Sequence, residues 1–230
     1  MKISFFSALF FYFLFSFAQQ SAEVLYKVNV DWDFYNQLHE NTSTSDLSKR
    51  LFERVLDAAR DLDFKLEFNP EESLYYCEDD MPDEAMNEQL FVLAKTLGRG
   101  YAKHYQNKKE DLSLHQFISV ADKKQYREYE KLFNNDWQIS QQIDTIMGFP
   151  VIKAVRGKET AWFTTNIPVP FGPGGKGGLP GLILQYQYNF TLIVATKIRF
   201  YKKKSKIKKP KEGILRTVEQ GQAERIKAIR

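Results

Sequence analysis

Cysteine and histidine are nearly absent from this chain of 230 residues, and those present do not indicate catalysis. Cys77 is the only cysteine, so no disulfide can form within the chain, and its strand-like surroundings favour a buried or half-buried bystander over a nucleophile or a metal ligand. His39, His104 and His115 are scattered, with no pair at metal-ligand spacing and no HExxH or GxSxG motif. We therefore predict no metal, no cofactor and no identifiable catalytic residue.

A local acidic cluster offers the other possible cation site. Glu78, Asp79 and Asp80 lie near Asp83 and Glu84 in the sequence, and carboxylates are ligands that Ca²⁺ prefers. The alternating Asp-x-Asp-x-Asp spacing of a calcium loop is missing, however. The cluster therefore favours a solvated turn followed by the start of a helix.

Long apolar runs are equally scarce, and the one that exists lies at the N-terminus. It extends from Phe5 to Phe17 and is interrupted by two serines only, which is too short to span a bilayer but suits the core of a signal peptide. The small residues Ser16 and Ala18 suit cleavage directly after Ala18. The run predicts a signal peptide at residues 1–18 and an exported mature protein, periplasmic or secreted and soluble after cleavage. The alternative is a buried N-terminal helix.

Positive charge is concentrated at the C-terminus. The whole chain carries a net charge of +4, whereas residues 202–230 alone carry +8. Such a segment attracts phosphates or anionic lipid head groups, and the alternative is a solvated strand end with a flexible tail. No nucleic-acid-binding module is recognisable, so we expect no nucleic acid partner. The candidate lipid contacts are Lys202, Lys203, Lys204, Lys206, Lys208 and Lys209.

Glycine and proline are sparse except in one segment, residues 168–181, which holds six glycines and four prolines. Glycine reaches positive φ at little cost, and proline fixes φ and removes an N–H donor, so the segment predicts a loop of fixed shape. A phosphate-binding loop is excluded because a strand, not a helix, follows it. If Gly181 needs positive φ, Gly181→Ala should cost about 1 kcal/mol or more, and Gly174→Ala should cost less.

Apolar periodicity predicts one domain over residues 19–201. Period-two patterns predict strands, and helical spacing with terminal signals predicts two helices, the second opened by Pro82 and ended by Gly98. The apolar stripes that should face the core are Leu47, Leu51, Val55, Ala59 and Leu62 in the first helix and Met86, Leu90, Leu93 and Leu97 in the second. The predicted strands are 23–30, 64–68, 74–77, 101–106, 112–120, 137–146, 149–155 and 161–168, with 120–133 ambiguous.

The last stretch of the predicted domain gives the strongest strand signal. From Leu182 to Phe200 every even position except Thr196 is apolar or aromatic, which predicts one buried face and one wet face with a turn near Asn189. Together the patterns predict an α+β fold that is mainly antiparallel β. We expect a curved meander sheet or half-barrel with two helical insertions in the N-terminal half.

The glycine-rich segment also carries a resemblance. Gly178 to Ile183 reads Gly-Leu-Pro-Gly-Leu-Ile, and the chain resembles the GLPGLI family of exported bacterial proteins over residues 137–200. Val151 stands where the family pattern has a cysteine. The family is of unknown function, so the resemblance implies no catalytic residues. Further elements of the family pattern occur in order at Trp137, Ile146, Gly148-Phe149, Lys153-Ala154, Trp162 to Thr165, Ile167-Pro168 and Gly172-Pro173.

Two functions remain open at this point. The first is a non-catalytic binding or accessory protein of the periplasm or outer membrane, with an apolar ligand or a protein partner. The second is a hydrolase-type enzyme with a site at the rim of the glycine- and proline-rich loop. Leu179 is either an exposed contact residue or a plug at one end of the sheet. The candidate binding residues are Trp162, Phe171, Gly178, Leu179, Pro180 and Gly181.

Overall fold

The computed structural model describes residues 21–39, 46–78, 87–132 and 136–229. The predicted signal peptide and most of the acidic cluster lie outside this part of the chain. Within it, no helix is long and apolar enough to cross a membrane.

Twelve strands are present in the described residues, and all belong to one sheet. Their bounds are β1 (Ser21–Val30), β2 (Phe64–Phe68), β3 (Glu72–Cys77), β4 (Lys103–Asn107), β5 (Leu112–Ile118), β6 (Gln125–Lys131), β7 (Gln138–Ile146), β8 (Phe149–Arg156), β9 (Glu159–Thr164), β10 (Leu182–Tyr188), β11 (Thr191–Tyr201) and β12 (Ile214–Thr217). The order across the sheet is β12-β6-β5-β4-β3-β2-β1-β11-β10-β9-β8-β7, and every pair except β12–β6 is antiparallel. The predicted α+β fold with a mainly antiparallel curved sheet is confirmed, and the structure shows that this sheet is open.

Four helices accompany the sheet in the described residues: α1 (Trp32–His39), α2 (Asp46–Asp61), α3 (Glu88–Leu97) and α4 (Val218–Ile229). The two predicted insertions are α2 and α3, which pack against each other and contribute Leu56, Ala59, Phe91 and Ala94 to the main core. Buried residues of the central strands, including Tyr26, Phe64 and Tyr75, complete this core. The sheet therefore has one face covered by α2 and α3.

The predicted apolar stripes are only partly correct. On α2, Val55 and Ala59 are buried, but Leu47 and Leu51 are 77% and 50% exposed. On α3, the buried residues are Phe91, Ala94 and Lys95, whereas Leu93 is 45% exposed. Helix α3 begins at Glu88, because the Asn87 side chain caps it by accepting from the Leu90 N–H, and Gly98 ends it as predicted. The predicted opening at Pro82 and the predicted stripe residue Met86 lie outside the described residues. Two of the helices therefore present leucines that the protein core does not cover.

The prediction of one buried face on even positions through β10 and β11 fails in β11. The β10–β11 turn contains two residues, so Tyr186 lies opposite Ile193, and the buried positions become odd in β11. Thr196 is then an extra residue, because Leu25 faces Lys197 while Tyr26 faces Ala195. This bulge returns the inward positions to even numbers.

The basic C-terminal segment is not a flexible tail. Ser205 N–H donates to Ser21 Oγ, and Ile207 is buried against Tyr105 and Leu114 on the sheet face opposite the helices. The chain then forms β12, parallel to β6, and α4. The Lys209 ammonium pairs with Glu110, and the other five candidate lipid-contact lysines are exposed: Lys202, Lys203, Lys204, Lys206 and Lys208.

The loop between β9 and β10 bridges distant strands of the curved sheet. Gly175 O in this loop accepts a hydrogen bond of 2.8 Å from Gln106 Nε2 of β4, although four strands separate β4 from β10 in the sheet order. The loop also contacts β2 and β3. Curvature of the sheet brings the β4–β6 region and the β8–β10 region to the two sides of this loop.

Candidate functional site

The glycine- and proline-rich loop has a fixed backbone shape. Phe171 and Gly177 form an isolated antiparallel bridge, and Gly177 O accepts from Trp137 Nε1 at 2.9 Å. Gly174 (φ 60°) and Gly178 (φ 88°) have left-handed backbone conformations that favour glycine. The lower cost predicted for Gly174→Ala assumed that Gly174 lies in a looser part of the loop, and this assumption is wrong, because Gly174 is buried as well as left-handed.

The predicted binding residues do not form one accessible surface. Leu179 is 2% exposed and Phe171 is completely buried, so Leu179 is a plug rather than an exposed contact. Gly181 is buried as well, Pro180 is exposed, and Trp162 and Gly178 are half-buried. The accessible polar surface lies instead on the other side of the loop, around Gly174 to Gly177.

A polar cavity of about 720 Å³ lies between this side of the loop and the β5–β6 hairpin. Four cationic side chains and two carboxylates line it, which gives an excess of two positive charges without counting His115. The lining residues are Arg99, Ser113, His115, Glu130, Lys131, Leu132, Arg156, Gly174, Gly175, Lys176, Gly177 and Glu219.

Arg99 lines the cavity and forms no ion pair with a carboxylate of the described residues. Its Nε atom is buried and is the one buried side-chain N or O atom in the described residues that has no hydrogen-bond partner. Its guanidinium carbon lies 5.8 Å from the centroid of the Tyr186 ring. Gly174 leaves the space for this side chain, since a Cβ on Gly174 would lie 2.6 Å from Arg99 Cδ. A buried donor without an acceptor destabilises the protein, so a polar group that accepted a hydrogen bond from Arg99 would be stabilising.

Glu159 neutralises the neighbouring cations. Its carboxylate pairs with the Arg156 guanidinium at 2.6 Å, pairs with the Lys176 ammonium, and accepts from Tyr186 Oη at 2.7 Å. Burial would raise the pKa of Glu159, but the hydrogen bonds from Lys176, Tyr186 and Arg156 lower it to about 2. Burial and the nearby Arg99 charge lower the pKa of Lys176. With Glu159 already engaged by three donors, Arg99 and Lys131 are the lining cations that have no ion pair among the described residues.

Glu159→Gln is expected to lower the free energy of unfolding at pH 7 by about 2 kcal/mol, because Lys176 and Arg156 lose their counter-charge. The pKa of Glu159 lies below its unfolded value of 4.5, so its stabilisation is complete above about pH 4.5 and is lost as the pH falls towards 2. Urea denaturation between pH 2 and 7 measures both effects. The exposed Glu212→Gln is the control; equal pH profiles for the two variants would contradict the assignment.

Two histidines that look scattered in the sequence meet in the structure. His104 of β4 lies directly opposite His115 of β5, and their Nδ1 atoms are 2.6 Å apart. His104 Nε2 lies 3.0 Å from Arg99 O, which can only accept, so Nε2 of His104 carries the hydrogen and its Nδ1 accepts from His115. Burial, then the neighbouring His115 and Arg99, lowers the pKa of His104 well below its usual range.

His115 connects this pair to the cavity. Its Nε2 lies 3.2 Å from Glu130 Oε1 and 3.4 Å from Ser113 Oγ. Because His115 Nδ1 donates to His104, its Nε2 donates to Glu130 only when the ring carries both hydrogens, and this hydrogen bond lowers the pKa of Glu130. No group of three or more His, Cys, Asp or Glu side chains within the described ranges is arranged to hold a metal ion.

The sequence did not indicate Arg99 or the histidine pair. The pair follows from the β4–β5 register, in which His104 faces His115, and a hairpin with its turn near residues 108–111 would have suggested it. Arg99 follows the helix end at Gly98 and takes φ 58°, and no local pattern marks it as functional. The predicted loop lines this cavity, but through residues 174–177 and not through the predicted binding residues.

The middle of the chain matches one sequence family. Residues 102–185, which include β4 to β9 and the loop, match the family described as a protein of unknown function (Porph_ging). No curated protein matches the chain. The match thus includes the loop and most of the cavity walls, but no described activity comes with it.

Solved structures show the same fold. Two crystal structures of PNGF-II superpose with TM-scores of 0.55 and 0.54, at 13% and 14% sequence identity. Each alignment covers 89% of this chain but 32% of the PNGF-II chain, so this protein spans about a third of that length. At such low identity the similarity concerns the fold alone.

Proposed function

We propose that this chain is an exported, non-catalytic binding protein that holds an anionic group of its ligand in the polar cavity beside the glycine- and proline-rich loop. The buried Nε atom of Arg99, which has no acceptor among the described residues, carries the proposal. A carboxylate or phosphate in the cavity supplies a counter-charge for the Arg99 guanidinium and acceptors for its N–H donors. The apolar N-terminal run and the resemblance to GLPGLI proteins support the export part of the proposal.

The surroundings of Arg99 suit an anion. Lys176, whose pKa is lowered by burial and by Arg99, gains a second counter-charge when an anion enters. Gly174 and Gly175 line the cavity, and their missing side chains leave room for Arg99 and His104 to pack against the loop backbone. The exposed lysines of residues 202–208 lie outside this cavity, and we propose them as a separate contact with anionic lipid head groups.

The geometry supports binding better than hydrolysis. Ser113 and Glu130 both approach the same nitrogen of His115, Nε2, while Nδ1 faces His104. In a nucleophile–base–acid relay, the serine and the carboxylate contact opposite nitrogens of the histidine. In the Ser113–His115–Glu130 cluster the serine and the carboxylate approach one and the same nitrogen, so the cluster does not have the arrangement of such a relay.

Arg99→Met is expected to separate ligand binding from stability. Methionine keeps the aliphatic packing but removes the buried unpaired donor, so the free energy of unfolding should rise by about 1 kcal/mol without any anion present. Inorganic phosphate and acetate should raise the Tm of the wild-type protein and leave that of Arg99→Met unchanged. Thermal unfolding at constant ionic strength, set with NaCl, measures both results.

The exposed Arg199→Met is the matched control, because it removes the same charge from β11 away from the cavity. It should keep the anion-dependent rise in Tm. Retention of that rise by Arg99→Met, or no rise in the wild-type protein with either anion, would overturn the proposed anion site.

A further inference from the structure

A second cavity of about 470 Å³ lies next to the polar one, between α2, α3 and the β10–β11 hairpin. Its walls are mainly apolar: Leu51, Phe52, Val55, Leu93, Leu97 and Ile193. This volume is within the range of small-molecule sites in proteins. We call it the apolar groove.

The apolar groove accounts for the leucines that the core leaves uncovered. Leu51 and Leu93 occupy predicted core-facing positions of α2 and α3, yet they are 50% and 45% exposed. Both line the groove, so the stripes of these two helices face it together. Leucines on facing helices that the described residues leave about half exposed favour an apolar occupant.

Arg99 lines both cavities. Tyr186 lines the groove with its ring and donates its hydroxyl to Glu159 on the polar side. A ligand at Arg99 therefore has an apolar space on one side and a cationic space on the other. The cation Arg99 lies at one end of the groove, and the other walls are mainly apolar. This arrangement suits a ligand with one anionic end and an apolar remainder better than it suits a protein surface.

We infer that the apolar groove holds the acyl chain of a single-chain amphiphile whose anionic head binds at Arg99. This inference rests on the proposed anion site and adds the class of ligand. The head group supplies the acceptor for Arg99, and the chain covers Leu51 and Leu93. Free fatty acids and single-chain phosphate esters share this chemistry.

Titration calorimetry with acetate, octanoate and palmitate tests the inference, with each ligand kept below its aggregation concentration. Affinity should rise by about fourfold for each methylene that enters the groove, so palmitate should bind at least 100-fold more tightly than acetate. Dodecyl phosphate compared with laurate then shows which head group is preferred. Hexadecanol, which has the chain but no charge, should bind at least tenfold more weakly than palmitate.

Leu51→Ser should weaken palmitate binding about tenfold and leave the acetate affinity within twofold. Leu215→Ser is the matched control, because Leu215 is 55% exposed on β12, away from the groove. It should leave both affinities unchanged. Leu93→Ser repeats the test from the opposite wall, so a folding defect in one variant leaves the other informative.

The possible failures are distinguishable. Equal affinities for acetate and palmitate, with acetate binding still lost in Arg99→Met, would overturn the groove and keep the anion site. Palmitate binding that is unchanged in Arg99→Met would overturn the head-group position. An unchanged palmitate affinity in both leucine variants would also contradict the inference.

Discussion

Gly181→Ala is expected to lower the free energy of unfolding by about 3 kcal/mol or more. An alanine Cβ at this position would lie 2.0 Å from Thr164 O, which is a backbone atom. Thr164 pairs with Leu182 in the β9–β10 register, so it cannot move without disturbing the sheet. Urea denaturation measures the effect. The reason differs from the sequence-based one, because Gly181 is required for close approach of two backbones and not for positive φ.

Gly157→Ala is the control that separates a steric clash of the added Cβ from the strain of a left-handed backbone. Gly157 has φ 58°, and nothing lies within 4 Å of its added Cβ, so the substitution should cost only about 1 kcal/mol. A loss for Gly181→Ala no greater than for Gly157→Ala would show that the loop accommodates the extra methyl group.

Leu179→Ser should destabilise the protein by about 4 kcal/mol. The side chain is 2% exposed within the main core, so its removal leaves a cavity, and the new hydroxyl has to find a partner there. Chemical denaturation gives the change in free energy.

The exposed neighbour Pro180→Ala is the control for Leu179→Ser and should stay within about 1 kcal/mol of the wild-type protein. Wild-type stability in Leu179→Ser would restore the exposed-contact interpretation of Leu179. A comparable loss in both variants would assign the effect to the loop backbone rather than to the leucine side chain.

Regular alternation made most of the sheet predictable from the sequence. In β1, Val24, Tyr26 and Val28 are buried as the period-two pattern indicates, and the β2–β3 hairpin pairs as expected. Helix α1 was missed because it is short and begins with aromatic and polar residues of low helix propensity. Tertiary contacts stabilise it instead: the Tyr35 ring stacks on Phe52 at 5.0 Å.

The candidate site was less predictable, because long-range geometry creates it. Arg99, His115 and Lys176 belong to three separate segments, and only the curvature of the sheet brings them to one cavity. Single-sequence patterns report local periodicity and turn chemistry, which identified the loop but not the charges around it. The exposed leucines of α2 were unpredictable for a similar reason. The apolar stripe of a helix shows which face is apolar, but it does not show whether other elements of the protein cover that face.

The place of β1 in the sheet has a consequence for the order of folding. Ser21 pairs with Tyr201 and Val30 with Thr191, so β1 and β11, which are neighbours near the middle of the sheet, lie far apart in the sequence. Closing so long a loop carries an entropic penalty before any contact compensates it, and topologies of this kind fold slowly. During synthesis, β1 lacks its main neighbour until the ribosome has passed Tyr201. Until β11 is available, the edge of β1 that pairs with it stays exposed, and exposed unpaired strand edges are prone to aggregation.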